Sequence, residues 1–251
     1  MALTLAWGLS LNSSSYGIDL VSHPLIGCGI TRGNPVSLGG TIVPRVATYK
    51  SWPEIYTKTI NEHLPQMVVL LVGRWEVADI FYNGRWTHIG EPDYDTYLLA
   101  ELQLAIDILG STGAKIVLLT TPHFSQNPSP TWVPESTPEN LPSESEDAMY
   151  PENRPSRIDR FNNLLLQAKN RQPGFQKTVS IVDLGGKLSP QGSYAEVIDG
   201  IRIRKPDGIH ITQACGQWLR PWLFSKLLNI HYEQHTSNTS CMSPPSQYSS
   251  Q

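Results

Sequence analysis

Three runs rich in apolar residues limit what this chain can fold into more than any other feature of it. Met67-Val68-Val69-Leu70-Leu71-Val72, bounded by Pro65 and Gly73, has no polar residue to turn toward water on either side. It therefore reads as a strand buried on both faces of a parallel sheet. Lys115-Ile116-Val117-Leu118-Leu119-Thr120 reads the same way, and Thr178 to Leu184 is a further strand. Segments of helical spacing separate them. Ser51 with Glu54 three residues on is a capping-box signature for a helix to about Leu64. Tyr94 to Leu109, closed by Gly110, and Arg157 to Asn170 are two more. Strands alternating with helices predict an α/β three-layer sandwich on a central parallel sheet. Ligands of such sheets bind beyond the carboxyl ends of the strands.

The rest of the chain is read around that core. Met1 to Ser15 is an amphipathic helix, with Leu3, Trp7 and Leu11 at i, i+4, i+8 and Leu5 and Leu9 alongside. Ile18 to Val21 is a short strand, Leu25 to Gly29 a glycine-bearing loop, and a Gly- and Pro-rich loop continues to about Tyr49. Asn127 to about Arg154, crowded with Pro, Ser and Glu, reads as a long flexible loop or lid. The domain is expected to span 1–229, with 230–251 a disordered tail. His231, Glu233 and His235 in that tail could bind a metal weakly, the alternative being plain solvated side chains. Charged residues make up 16% and the formal net charge is -3, so no electrostatic footprint for nucleic acid is present. A small molecule or a glycan is easier to accommodate. Cys28, Cys215 and Cys241 form no metal pattern, and either a Cys28–Cys215 disulfide or two buried free thiols fits.

The stretch Lys205-Pro206-Asp207-Gly208-Ile209-His210-Ile211-Thr212 carries the chemistry. It follows an alternating run, Ile201 to Arg204, that reads as a strand, and it leads into helical spacing from Gln213 to about Leu228. Asp207 and His210 are three apart with a glycine between them, so the chain can turn and bring carboxylate to imidazole. A carboxylate that holds His in one tautomer and stabilises the imidazolium equips it as the base of a hydrolytic or acyl-transfer site. The plainer alternative is that Asp207 caps the following helix and His210 is a partly buried loop residue.

Gly27-Cys28-Gly29, Gly73-Arg74-Trp75-Glu76 and Asp207-Gly208-Ile209-His210, in that order, resemble the sequence blocks of the SGNH, or GDSL-type, hydrolases. In detail the chain is similar to the SGNH domains found with bacterial membrane acyltransferases that O-acylate surface glycans. Val69 to Asp79, Gly84 to Gly90 and Val197 to Thr212 carry most of that likeness, which extends to about Leu228. The resemblance implies an acyl-ester hydrolase or O-acyltransferase working on acetyl-like groups of a glycan through a Ser-His-Asp mechanism. Asp207 and His210 take the orienting and base roles. Gly29, or Gly27 in another register, takes the oxyanion role, with the block Gly73, Arg74 and Trp75 completing the binding edge. Where the family has an Asn donor this chain has Trp75, so either the Trp75 indole or the Arg74 guanidinium replaces it, or Trp75 is core packing at a strand end and the donor is lost. The resemblance implies no metal or organic cofactor, an acyl ester or glycan as partner rather than nucleic acid, association with a membrane acyltransferase domain, and a place on the extracytoplasmic side of a bacterial membrane.

One block of the family pattern is absent from this chain. A family member begins with a buried strand and Gly-Asp-Ser, and this sequence begins at the helix that follows. Ser10 lies roughly 13 Å along that helix at ~1.5 Å per residue, and Ser13, Ser14 and Ser15 lie later still, so none is expected to be the nucleophile. Loss of the first strand is expected to leave unpaired backbone on its neighbours and a poorly stable chain. The alternative function is a non-catalytic remnant or a glycan-binding module, with Trp75, Tyr82, Trp86 and Trp132 as stacking surfaces.

Overall fold

The computed structural model describes residues 1–32, 34–44, 51–126, 150–171 and 179–237. Its strands are β1 (Val36–Leu38), β2 (Thr41–Val43), β3 (Met67–Leu70), β4 (Asp79–Tyr82), β5 (Arg85–Thr87), β6 (Lys115–Leu119), β7 (Val179–Val182), β8 (Val197–Ile198) and β9 (Ile201–Arg202). Its α-helices are α1 (Ala2–Ser10), α2 (Trp52–His63), α3 (Pro92–Leu109), α4 (Pro155–Asn170), α5 (Leu184–Leu188) and α6 (Gln213–Ser237).

The protein is a mixed α/β fold. The three apolar runs make a parallel sheet in the order β3-β6-β7, with Met67 opposite Lys115 and Ile116 opposite Val179. Helices cover both faces. On one side α3 and α4 bury Leu98, Leu102, Ile106, Ile158, Phe161 and Leu165 against Ile116 and Leu118. On the other, α1 and α6 bury Leu5, Leu9, Cys215, Leu219 and Leu223 against Val117 and Leu119. The alternation along β6 sends successive residues to opposite layers, which is why its whole run is apolar. Among the described residues β3 is paired on one side only, and Val69 on it is 37% exposed.

Several elements differ from the sequence reading. The Gly- and Pro-rich region holds the β1–β2 hairpin, which joins β4 and β5 in an antiparallel sheet of order β2-β1-β4-β5. Ile18 to Val21 forms no strand. On α1 the stripe Leu3, Trp7 and Leu11 is exposed, and Leu5, Gly8 and Leu9 are buried instead. The reason is the close crossing of α1 and α6. A Cβ on Gly8 would come within 2.6 Å of the Gly216 backbone, so the glycine sets which face approaches. Ser51 begins α2 without a side-chain capping bond. Helix α6 runs past Leu228 to Ser237, through the first residues of the expected tail. Cys28 and Cys215 are free thiols, and burial pushes Cys215 up to about 11. Most of the expected lid, Trp132, Cys241 and the chain beyond Ser237 lie outside the described residues. No cluster of three metal-binding side chains occurs among the described residues.

Candidate active site

The loop from Lys205 to His210 is shaped by its backbone before any side chain acts. Arg204 and Ile211 form a bridge, Lys205 N–H donates to His210 O at 2.7 Å, and Gly208 N–H donates to Lys205 O at 3.0 Å. Gly208 has φ +69, and a Cβ there would overlap the Ser125 carbonyl. Ser125 N–H in turn donates to Gly208 O at 3.2 Å, which anchors the loop to the segment leaving the carboxyl end of β6. Below it, Arg204 is fully buried and donates to Ile209 O at 3.1 Å and His123 O at 2.8 Å.

On this frame Asp207 works with both oxygens. Its Oδ1 accepts from Ile209 N–H at 2.9 Å and His210 N–H at 2.8 Å, and its Oδ2 pairs with His210 Nδ1 at 2.7 Å. Burial pushes the Asp207 carboxyl up, but the His210 backbone and side-chain hydrogen bonds, with that from Ile209, outweigh it and hold the group below its ordinary range. An ionised Asp207 keeps the proton on Nδ1 and leaves Nε2 as the basic nitrogen of a side chain 48% exposed. The role of helix cap belongs elsewhere: Thr212 Oγ1 accepts from Cys215 N–H at 3.0 Å. Gly208→Ala is expected to cost about 1–3 kcal/mol of stability through a strained φ and to break the Asp207–His210 hydrogen bond. An unchanged His210 Nδ1–H resonance together with an unshifted melting temperature would count against this account of the loop.

A second cluster gathers the glycine blocks around Glu76. Its carboxylate is fully buried, with Oε1 accepting from Ile30 N–H at 2.7 Å and Oε2 from Gly73 N–H at 2.8 Å. One carboxylate thus ties the loop after Gly29 to the loop after β3. A Cβ on Gly29 would run into Glu76 and Trp75, and one on Gly73, at φ +130, into Thr121. Gly29, Gly73 and Trp75 are thereby brought together around Glu76. Gly73 N–H is consumed by Glu76 and is closed to a ligand, whereas Gly29 N–H has no partner among the described residues. Gly27 sits one turn outside, at φ +70, where Cys28 N–H closes back on Leu25 O.

Arg74 joins the two clusters. Its guanidinium hydrogen-bonds Gln126, lies 3.7 Å from Glu152 and stacks 4.9 Å over Phe124. Burial pushes it down, against the pull of Glu152, Glu76 and Asp207. Its Nη1 and Glu152 Oε2 are buried without partners. Glu152 is fully buried, and burial pushes its carboxyl up. Gln126, Glu152 and Arg204 escaped the sequence reading. Only Arg204 left a trace, as a second arginine in an alternating strand whose neighbour Ile203 is also fully buried.

His123 makes no hydrogen bond to Asp207 or His210 among the described residues. It is buried, with Nε2 2.9 Å from Asp159 Oδ1, and reaches the dyad loop only through the carbonyl that Arg204 holds. No serine hydroxyl bonds His210 among the described residues, and Ser10 Oγ is turned back onto Trp7 O at 2.8 Å. Met1, at the start of α1, packs against the apolar cluster that holds Ile203 and Ile211, which flank the dyad loop. Burial pushes the Met1 amino group down to about 6, against the pull of Asp207. The arrangement can orient a histidine base and leaves one buried backbone donor, Gly29 N–H, without a partner among the described residues. No protein-family model matches this chain, and no curated protein matches it.

Proposed function

We propose that the chain is an SGNH-type three-layer domain carrying the base half of an acyl-ester site, for hydrolysis or O-transfer of acetyl-like groups on a glycan. The observation that carries this reading is the Asp207–His210 pair, in which one carboxylate spends three hydrogen bonds on fixing one exposed imidazole. That expenditure is unneeded in a loop whose helix is capped by Thr212. Support comes also from the gathering of Gly29, Gly73 and Trp75 about Glu76, and from the Arg74 charge, on which Glu76 and Asp207 both pull. In this reading His210 Nε2 takes the proton of a serine hydroxyl, Asp207 holds the resulting imidazolium, and Gly29 N–H donates to the oxyanion. Membrane acyltransferase association and an extracytoplasmic setting belong to the same proposal.

A glycan-binding module without catalysis is the second reading, favoured by the absence of a serine hydroxyl on His210 among the described residues. The discriminating experiment is p-nitrophenyl acetate hydrolysis by this chain and by a chain given an apolar strand and Gly-Asp-Ser ahead of Met1. His210-dependent turnover is expected only with the added segment. The same turnover without it would make a serine of this chain the nucleophile. Silence from the folded, extended protein would leave the binding module.

A further inference from the structure

We infer that the cleft between the end of β5 and the first turn of α4 is a binding site for an oxyanion, a carboxylate or a phosphate carried by the ligand. The cleft has a volume of about 330 Å³ and is lined by His88, Arg154, Ser156, Arg157 and Arg160. Its arginines are held from behind. Arg157, with a side chain 7% exposed, donates through Nη1 to Val77 O at 3.0 Å and lies 2.7 Å from Asp79 Oδ1. Arg160 places Nε and Nη2 each 2.7 Å from Asp95 Oδ2. A guanidinium has five N–H donors in a fixed fork, so each keeps donors in reserve after these bonds. The Arg154 side chain is exposed and makes no hydrogen bond or ion pair among the described residues, its backbone alone bonding to Pro151 O and Arg157 N–H. His88 Nε2 is 3.8 Å from Glu91, which Arg85 already engages at 2.5 Å.

The charge and donor count then select the ligand. Arg154, Arg157 and Arg160 outnumber Asp79 and Asp95 by one, and both carboxylates are spent on the arginines. The first turn of α4 adds the Ser156 hydroxyl and no acidic side chain. A neutral sugar brings donors and acceptors in equal measure and would leave guanidinium donors unmet. An oxyanion brings acceptors only, and the planar fork suits it bidentately. The cleft adjoins the candidate active site, since Arg157 holds the carbonyl next to Glu76 and the turn Pro151–Asn153 links Glu152 to Arg154. The inference stands without the acyl-ester reading. Joined to it, the cleft makes the substrate an acidic glycan.

The test is NMR titration of the folded chain with inorganic phosphate, glucuronate and, as the uncharged control, glucose. Saturable shifts at His88 and residues 154–160 are expected with an anion and not with glucose, and the tighter anion names the source. Arg154→Ala, which severs no internal bond, is expected to weaken binding about tenfold or more, whereas Arg171→Ala at the far end of α4 leaves it unchanged. Absence of saturation with both anions overturns the inference, and so does undiminished binding in both Arg154→Ala and Arg154→Glu. Neither readout depends on ester hydrolysis, so an inactive dyad and an absent anion site give different results.

Discussion

Glu76→Ala is expected to lower the unfolding free energy by about 2–6 kcal/mol, the cost of leaving two buried backbone N–H groups, Ile30 and Gly73, without acceptors at ~1–3 kcal/mol each. That is a large part of the ~5–15 kcal/mol by which domains of this size are stable. Glu76 is fully exposed in the unfolded chain and fully buried in the folded one, and it repays its desolvation only by accepting at 2.7 and 2.8 Å. Truncation removes both bonds at once and frees the loops that carry Gly29 and Gly73. Glu76→Gln should fall between, because the amide keeps one acceptor and turns a donor toward the other N–H. Urea denaturation of the three proteins measures this directly. Equal midpoints for wild type and Glu76→Ala would show that the two loops are held by their own packing and that Glu76 is incidental.

The parallel core is legible in the sequence because burial on both faces leaves a run such as Met67 to Val72 no alternative, and the helices follow from their spacing. The antiparallel sheet is harder to read. β1, β2, β4 and β5 are three or four residues long, too short for periodicity to speak. Their turns were the available signal. Gly39-Gly40 and Asn83-Gly84 each place two successive residues at positive φ, the pattern of tight two-residue hairpins, as Asp199-Gly200 does between β8 and β9. Helix α1 was read with its face reversed, because hydrophobicity favours Leu3, Trp7 and Leu11 whereas close helix approach favours Gly8. At the site, Asp207 and His210 are legible because three residues and a glycine suffice to join them. Arg74, Gln126 and Glu152 come from three separate segments, so no local pattern announces their meeting. The companion carboxylate Glu76 stands in a quoted block, yet its work is to hold backbone, which spacing does not reveal.

Asp207→Asn, made in the chain that carries the added Gly-Asp-Ser, is expected to lower the rate of p-nitrophenyl acetate hydrolysis about 10⁴-fold while leaving the fold intact. The amide oxygen can still accept from Ile209 N–H and His210 N–H, so the loop keeps its shape. Its nitrogen, however, faces His210 Nδ1 at the 2.7 Å contact and can only donate there. The imidazole is then driven to carry its proton on Nε2, where the base needs a lone pair, and the imidazolium loses its counter-charge. The pH dependence has a defined sign. Because Asp207 is held below its ordinary value of 3.8, it stays ionised through the mildly acidic range. Its contribution to stability is fully present above that ordinary value and is lost only as pH falls through the lowered one. An acid limb of activity above that range must therefore come from protonation of the base and not of Asp207. A modest loss of rate in Asp207→Asn, with the acid limb unmoved, would assign the carboxylate to the loop alone and remove the dyad from the proposed mechanism.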